Sequence, residues 1–162
     1  MAPDGIDMHY DIRLEQSTSQ PLAVVRRRAA QHELSKVVPE ACGLVWNVLR
    51  AQQVTGAGRH VAIYRDCEIN VEVGAELAAP FAGHGEVVPS SIPAGTVATT
   101  THYGPYGELH HAHVAIQEWC KKNGHTPAGP SWEIYGHWKD EWNRDPSKIV
   151  TDVYYLLVAV GS

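Results

Sequence analysis

Apolar residues recur along this chain with two different periods. Between Glu33 and Ala51, Leu34, Val38, Ala41, Val45, Val48 and Leu49 fall three or four positions apart, the spacing of one helix face. Pro39 must then sit near a first turn or at a kink. A second stripe, Leu109, Ala112, Ile116 and Cys120, predicts a helix over 107–122, with Lys121 and Lys122 in its last turn and Gly124 just beyond. Other segments read as strands: PLAVVRRR before the first helix, HVAIYRD and CEINVEV after it, TVATTTHY before the second, SWEIYGHW and TDVYYLLVAV after it.

The order strand, helix, strand, strand therefore occurs twice. Aligning the halves places Ile63 and Tyr64 on Ile134 and Tyr135, a period of about 70 residues, too long for a solenoid unit. The expected fold class is α+β: two pseudo-symmetric modules with antiparallel sheets, one main helix each, and a ligand cleft between them. One domain spans 1–162, with a first module over about 8–78, a linker over about 79–91 and a second module over about 92–162. The linker lies in a stretch rich in Gly, Pro and Ala.

Composition narrows the partners. A hydrophobic fraction of 44% with 19% charged residues belongs to a folded chain, and 162 residues suffice for one substantial core. The net charge of -5 and a single dense basic run, Arg26 to Arg28, argue against nucleic acid and favour a cationic small molecule. With strand alternation those arginines cap a sheet edge. Cys42, Cys67 and Cys120 lack C-x-x-C spacing and read as reduced core thiols. No apolar run spans a bilayer and no leader pattern opens the chain, so a cytoplasmic location without membrane association is expected.

Within SWEIYGHW, alternation puts Glu133, Tyr135 and His137 on one face and Trp132, Ile134 and Trp138 on the other, one face meeting the helices and the other free to line a cleft. A lone carboxylate among aromatics is expensive to desolvate, so it needs a partner, from the protein or from a ligand. His110, His111 and His113 invite a metal, but no carboxylate or cysteine completes the set at a known spacing; a solvated helix face is the simpler expectation, with no metal and no cofactor. No phosphate loop and no G-x-S-x-G occurs.

The segment IPAGTVATTTHYGPYGELHHAHVAIQEWCKKNGHTPAGPSWEIY carries Pro-Ala-Gly before a strand, Gly-Pro-Tyr at a helix start, Pro-Ala-Gly-Pro after the helix and Glu-x-Tyr in the next strand. In this order and spacing it resembles the GyrI-like effector-binding domain, the drug-sensing part of several AraC-type and MerR-type regulators that also occurs alone. The resemblance covers nearly the whole chain, strongly over 92–135 and loosely in the first half, where RRRAAQHEL stands in place of HYGPYGEL.

The resemblance implies that the acid at the position of Glu133 sits centrally in an aromatic cleft and pairs with lipophilic cations. Tyr135, its repeat partner Tyr64, and Tyr103 and Tyr106 beside the Gly-Pro-Tyr turn are candidates for the cage, by cation–π attraction and stacking. Trp46 and Trp119 are candidates to close it from above, with core packing as the alternative, and His137 is a candidate polar neighbour. The expected activity is stand-alone binding of hydrophobic, often cationic compounds of multidrug type, since only about 20 residues precede the first matched strand, too few for a DNA-binding helical unit. Two alternatives follow from the same resemblance. One is a hydrolase opening strained rings of DNA-alkylating natural products, with Glu133 activating water and a tyrosine or His137 supplying the proton. The other is a protein-interaction role like that of gyrase inhibitor proteins.

Overall fold

The computed structural model describes residues 10–29, 33–65 and 70–158. Cys67, the first residues of CEINVEV, Ala30 to His32 and the end of TDVYYLLVAV lie outside them. In chain order the main elements are β1 (Arg13–Ser17), β2 (Gln20–Arg28), α1 (Leu34–Ala51), β3 (His60–Tyr64), β4 (Asn70–Glu76), β5 (Val87–Ile92), β6 (Gly95–Tyr103), α2 (Leu109–Asn123), β7 (Pro127–Tyr135), a short α3 (Glu141–Arg144) and β8 (Val150–Leu157). The eight strands form one antiparallel sheet in the order β1-β6-β8-β7-β3-β4-β2-β5, so the fold is α+β with an open sheet and few helices.

The helices end where their sequences stop supporting them. Gly124 adopts the left-handed conformation with φ 75°, and its N–H bonds the Cys120 carbonyl, closing α2 directly after Lys121, Lys122 and Asn123. Each helix lays its apolar stripe on the strands of its own half. Ala41, Val45 and Leu49 of α1 join Ala23, Val25 and Val73, while Ala112, Ile116 and Cys120 of α2 join Ala98, Val153 and Tyr155.

The halves meet where β3 pairs with β7, and there Ala62 stands opposite Glu133, the residue that occupies its own place in the other half. A pseudo-twofold axis therefore passes between these two residues. The outermost strands are exchanged across it. The strand leading into β2, β1, pairs with β6; the strand leading into β6, β5, pairs with β2. This corrects the linker over 79–91, which holds most of a strand that seals the first half. It also refines the arginine run: β2 is interior as far as Val25, where the β5 ladder ends, and its open side carries only Arg26 to Arg28.

Short links, Thr18-Ser19 and Pro93-Ala94, tie the two ends of the sheet together. Ile92 of β5 and Val97 of β6, far apart in strand order, consequently share one buried cluster with Leu22, Val61, Ile63, Trp132 and Ile134. The sheet bends until its helix-free face encloses its own core. Sequence alternation assigned the helices and the cleft to opposite faces of β7; they lie on the same face. The reason is that each helix covers one flank and leaves the central pair β3 and β7 open between them.

Candidate functional site

Along β7 the side chains alternate as expected. Trp132 and Ile134 enter the closed core, and Ser131, Glu133 and Tyr135 face the helix side. From β3, His60 and Tyr64 face the same way. The floor they make with the inner edges of α1 and α2 bounds a cleft of about 1150 Å³, slightly above the usual range for small-molecule sites.

Glu133 is only 6% exposed. Its Oε1 accepts from the Tyr135 hydroxyl at 2.6 Å and from the Tyr64 hydroxyl at 3.2 Å. Its Oε2 lies 2.6 Å from Nε2 of His113, which α2 projects over the sheet. Nδ1 of the same ring is 2.7 Å from the Tyr155 hydroxyl, and the Gln117 amide donates to that hydroxyl at 3.1 Å. One donor direction satisfies the chain with a neutral ring: Gln117 to Tyr155, Tyr155 to Nδ1, Nε2–H to Glu133. Burial, then the neighbouring Glu133 charge, pushes the Tyr64 and Tyr135 hydroxyls well above the ordinary tyrosine range. Both remain neutral donors.

The walls are aromatic. Tyr106, from the turn before α2, meets Tyr135 edge to face at 5.6 Å, and Trp138 leans on Tyr106 at 6.5 Å. Cys42 of α1 also lines the cleft, its thiol pushed up to about 11 by burial. Glu133 is the sole acid among the described lining residues, and no lysine or arginine is present there.

Of the residues singled out from sequence, Glu133, Tyr135, Tyr64, Tyr106, Trp46 and His137 line the cleft. Tyr103 and Trp119 do not. Tyr103, the last residue of β6, is 67% exposed. Trp119 stacks on His125 at 5.2 Å, because its place on α2 turns it away from the central strands. Sequence reasoning missed His113, Gln117, Tyr155 and Trp138. The solvated-face reading of the histidine cluster is wrong for His113, although it stands four residues before Gln117 and one turn from Leu109 and Ile116, spacing that places it beside the buried stripe. Trp138 escapes because β7 ends at Tyr135 and strand alternation ends with it. Among the described residues, no group of three or more histidine, cysteine or acidic side chains is placed to hold a metal ion. No described helix is long and apolar enough to cross a membrane.

A bent antiparallel sheet with two flanking helices and an aromatic cleft at its pseudo-twofold centre defines a small-molecule-binding α+β domain. The chain belongs to the GyrI-like family: the model of the GyrI-like small molecule binding domain matches residues 10–157. The C-terminal domain of EcmrR is similar in fold, with a TM-score of 0.76 and 22% identity over 94% of this chain and 100% of that one. SAV2435, solved bound to tetraphenylphosphonium, gives a TM-score of 0.68 at 10% identity over 92% and 94%. A hydrolase from Listeria innocua gives 0.61 at 11% identity over 91% and 92%. At these identities the likeness establishes the fold. No curated protein matches the sequence.

Proposed function

We propose that the cleft binds lipophilic aromatic compounds, cations foremost, with Glu133 supplying the charge. One observation carries this. Glu133 is a buried carboxylate hydrogen-bonded by two neutral hydroxyls and an imidazole, and no lysine or arginine is among the described residues that line its cleft. A desolvated charge without a fixed counter-charge attracts a delocalised cation strongly, while Tyr106, Trp46 and Trp138 offer ring faces for stacking and cation–π contact. The tetraphenylphosphonium bound by SAV2435 is a ligand of this chemistry.

The test is a titration with a fluorescent rhodamine-type cation followed by anisotropy, beside Glu133→Gln, which keeps shape and removes charge. Saturable binding that weakens about tenfold in the variant, roughly 1.4 kcal/mol, supports the proposal. Equal affinity in both proteins overturns the role of Glu133.

A second reading is favoured by the convergence of His113, Tyr64 and Tyr135 on one carboxylate. Proton donors surrounding a base are what hydrolysis of a strained ring requires, with Glu133 activating water and a neighbour protonating the leaving atom. A product assay on a cyclopropane-containing alkylator decides it, the expected product being the ring-opened alcohol, absent with Glu133→Gln.

A further inference from the structure

We propose that His113 sets which ligand charge the cleft accepts. With a neutral ring, Glu133 presents one net negative charge to the cleft and favours cations. With a protonated ring, the pair is neutral and the cleft favours uncharged aromatic ligands. This rests on the binding role proposed above and adds the residue that governs it.

The geometry carries the inference. His113 Nε2 and Glu133 Oε2 are 2.6 Å apart, and the two side chains are 19% and 8% exposed. The ring can take a proton without any heavy atom moving. Nδ1 accepts from Tyr155 when the ring is neutral and donates to the same oxygen when it is charged, while that oxygen keeps the hydrogen bond from Gln117. Protonation thus changes the charge facing the ligand and leaves the shape of the cleft intact.

Other groups facing the pair do not supply this change: His102 of β6, which feels the Glu133 charge, is pushed toward neutrality by burial. On β7 and β3, the Tyr135 and Tyr64 hydroxyls are held neutral far above physiological pH. Tyr155 of β8 enters as a neutral hydroxyl. On α1, burial keeps Cys42 a thiol. His60 of β3 is pushed toward neutrality by burial and then by His137. His110 of α2 lines the cleft, its ring tilted against that of His111 at 4.0 Å. His137, beyond the end of β7, is exposed. Among the described residues, His113 is the histidine hydrogen-bonded to Glu133, and histidine is the side chain whose ordinary titration falls between about pH 5 and 8.

Linkage gives a direct signature. A cation that prefers the neutral ring must displace any proton the ring carries, so its binding releases protons. The experiment is isothermal titration of the whole chain with tetraphenylphosphonium and with the uncharged dye Nile red, at constant ionic strength from about pH 5.5 to 8, in two buffers of different ionisation enthalpy. Tetraphenylphosphonium affinity is expected to rise about tenfold across that range with proton release, and Nile red affinity to change less than about threefold. His113→Gln keeps a donor toward Glu133 and cannot be charged, so it removes the pH dependence; His84→Gln, exposed and outside the cleft, retains it.

A flat wild-type profile, or a slope that survives in His113→Gln, overturns the assignment while leaving the binding role intact. Failure of tetraphenylphosphonium to bind at any pH, with Nile red still bound, sinks the cation-binding role itself. Because His113→Gln could destabilise the fold, the imidazole carbon resonance of His113 is followed in the wild-type protein with and without saturating tetraphenylphosphonium. Its midpoint moves to lower pH on saturation if the inference holds, and an unmoved midpoint overturns it.

Discussion

Ala62 and Glu133 face each other across the central strand pair, each occupying the place of the other in its own half of the molecule. Directly opposed residues of an antiparallel pair point to the same face. The cleft thus receives one carboxylate at its axis because the first half contributes a methyl group there. Ala62→Glu restores the symmetry at a cost. Two carboxylates in one buried site cannot both ionise freely, so the pair titrates with one apparent pKa raised. A group raised in the folded state contributes fully at low pH and loses that contribution as pH rises. Urea unfolding is expected to show the variant destabilised by about 1–3 kcal/mol at pH 8 and by much less at pH 5.

Tyr64 and Tyr135 predict an alkaline limit. Burial and the adjacent Glu133 raise both hydroxyls. The stability they confer is therefore complete below about pH 10, where the unfolded tyrosine begins to ionise, and declines as pH rises through and beyond it. Absorbance near 295 nm and circular dichroism recorded on one alkaline titration should change together, with tyrosines ionising only as the sheet unfolds. Phe at both positions should flatten the high-pH decline.

Trp132 is 1% exposed on the enclosed face and stacks on Tyr154 at 5.5 Å. The bend of the sheet encloses it in one buried cluster with Leu22, Ile92 and Val97. Trp132→Ala should cost about 3–5 kcal/mol in denaturant unfolding, the range for deleting a large buried aromatic. Ligand affinity of the remaining folded protein should change little, since this residue faces away from the cleft.

Gly74, opposite Val24 in the β2–β4 ladder, admits no side chain. A Cβ there would lie 1.8 Å from the Ala23 carbonyl oxygen, and a backbone atom cannot swing aside. Gly74→Ala is expected to fail to fold or to lose more than about 3 kcal/mol, read from a thermal or urea melt.

Cys42 lines the cleft yet should be a poor nucleophile. Its thiol is pushed up to about 11, so only a small thiolate fraction exists at pH 8. Iodoacetamide labelling followed by mass spectrometry should be far slower at Cys42 than for free cysteine, and slower again with ligand present.

Much of the site was legible before any tertiary structure. Glu133 stood out because a carboxylate between Trp132 and Ile134 in a strand has no inexpensive explanation, and Tyr64 and Tyr135 followed from the repeat. His113 was present in the same pattern, one residue beyond Ala112 on the buried stripe, but three clustered histidines suggested a metal or solvent. Tyr103 and Trp119 misled because helix and turn positions alone do not tell which way a bulky ring leans.

The sequence by itself determined the two long helices, six of the eight described strands and the twofold order. Periodicities of 2 and 3.6 are local properties, and Gly124 ends α2 by a backbone conformation that its neighbours cannot adopt cheaply. Tertiary structure decided the rest. The exchange of β1 and β5, the bend that lets one face bury itself, and the meeting of His113 from α2 with Glu133 from β7 all depend on contacts between residues distant in sequence. No local pattern encodes which strand edge a segment will pair with, because every edge offers the same backbone donors and acceptors. The pairing of a histidine with the acid of the cleft belongs to that second class: only the folded chain brings the two within 2.6 Å.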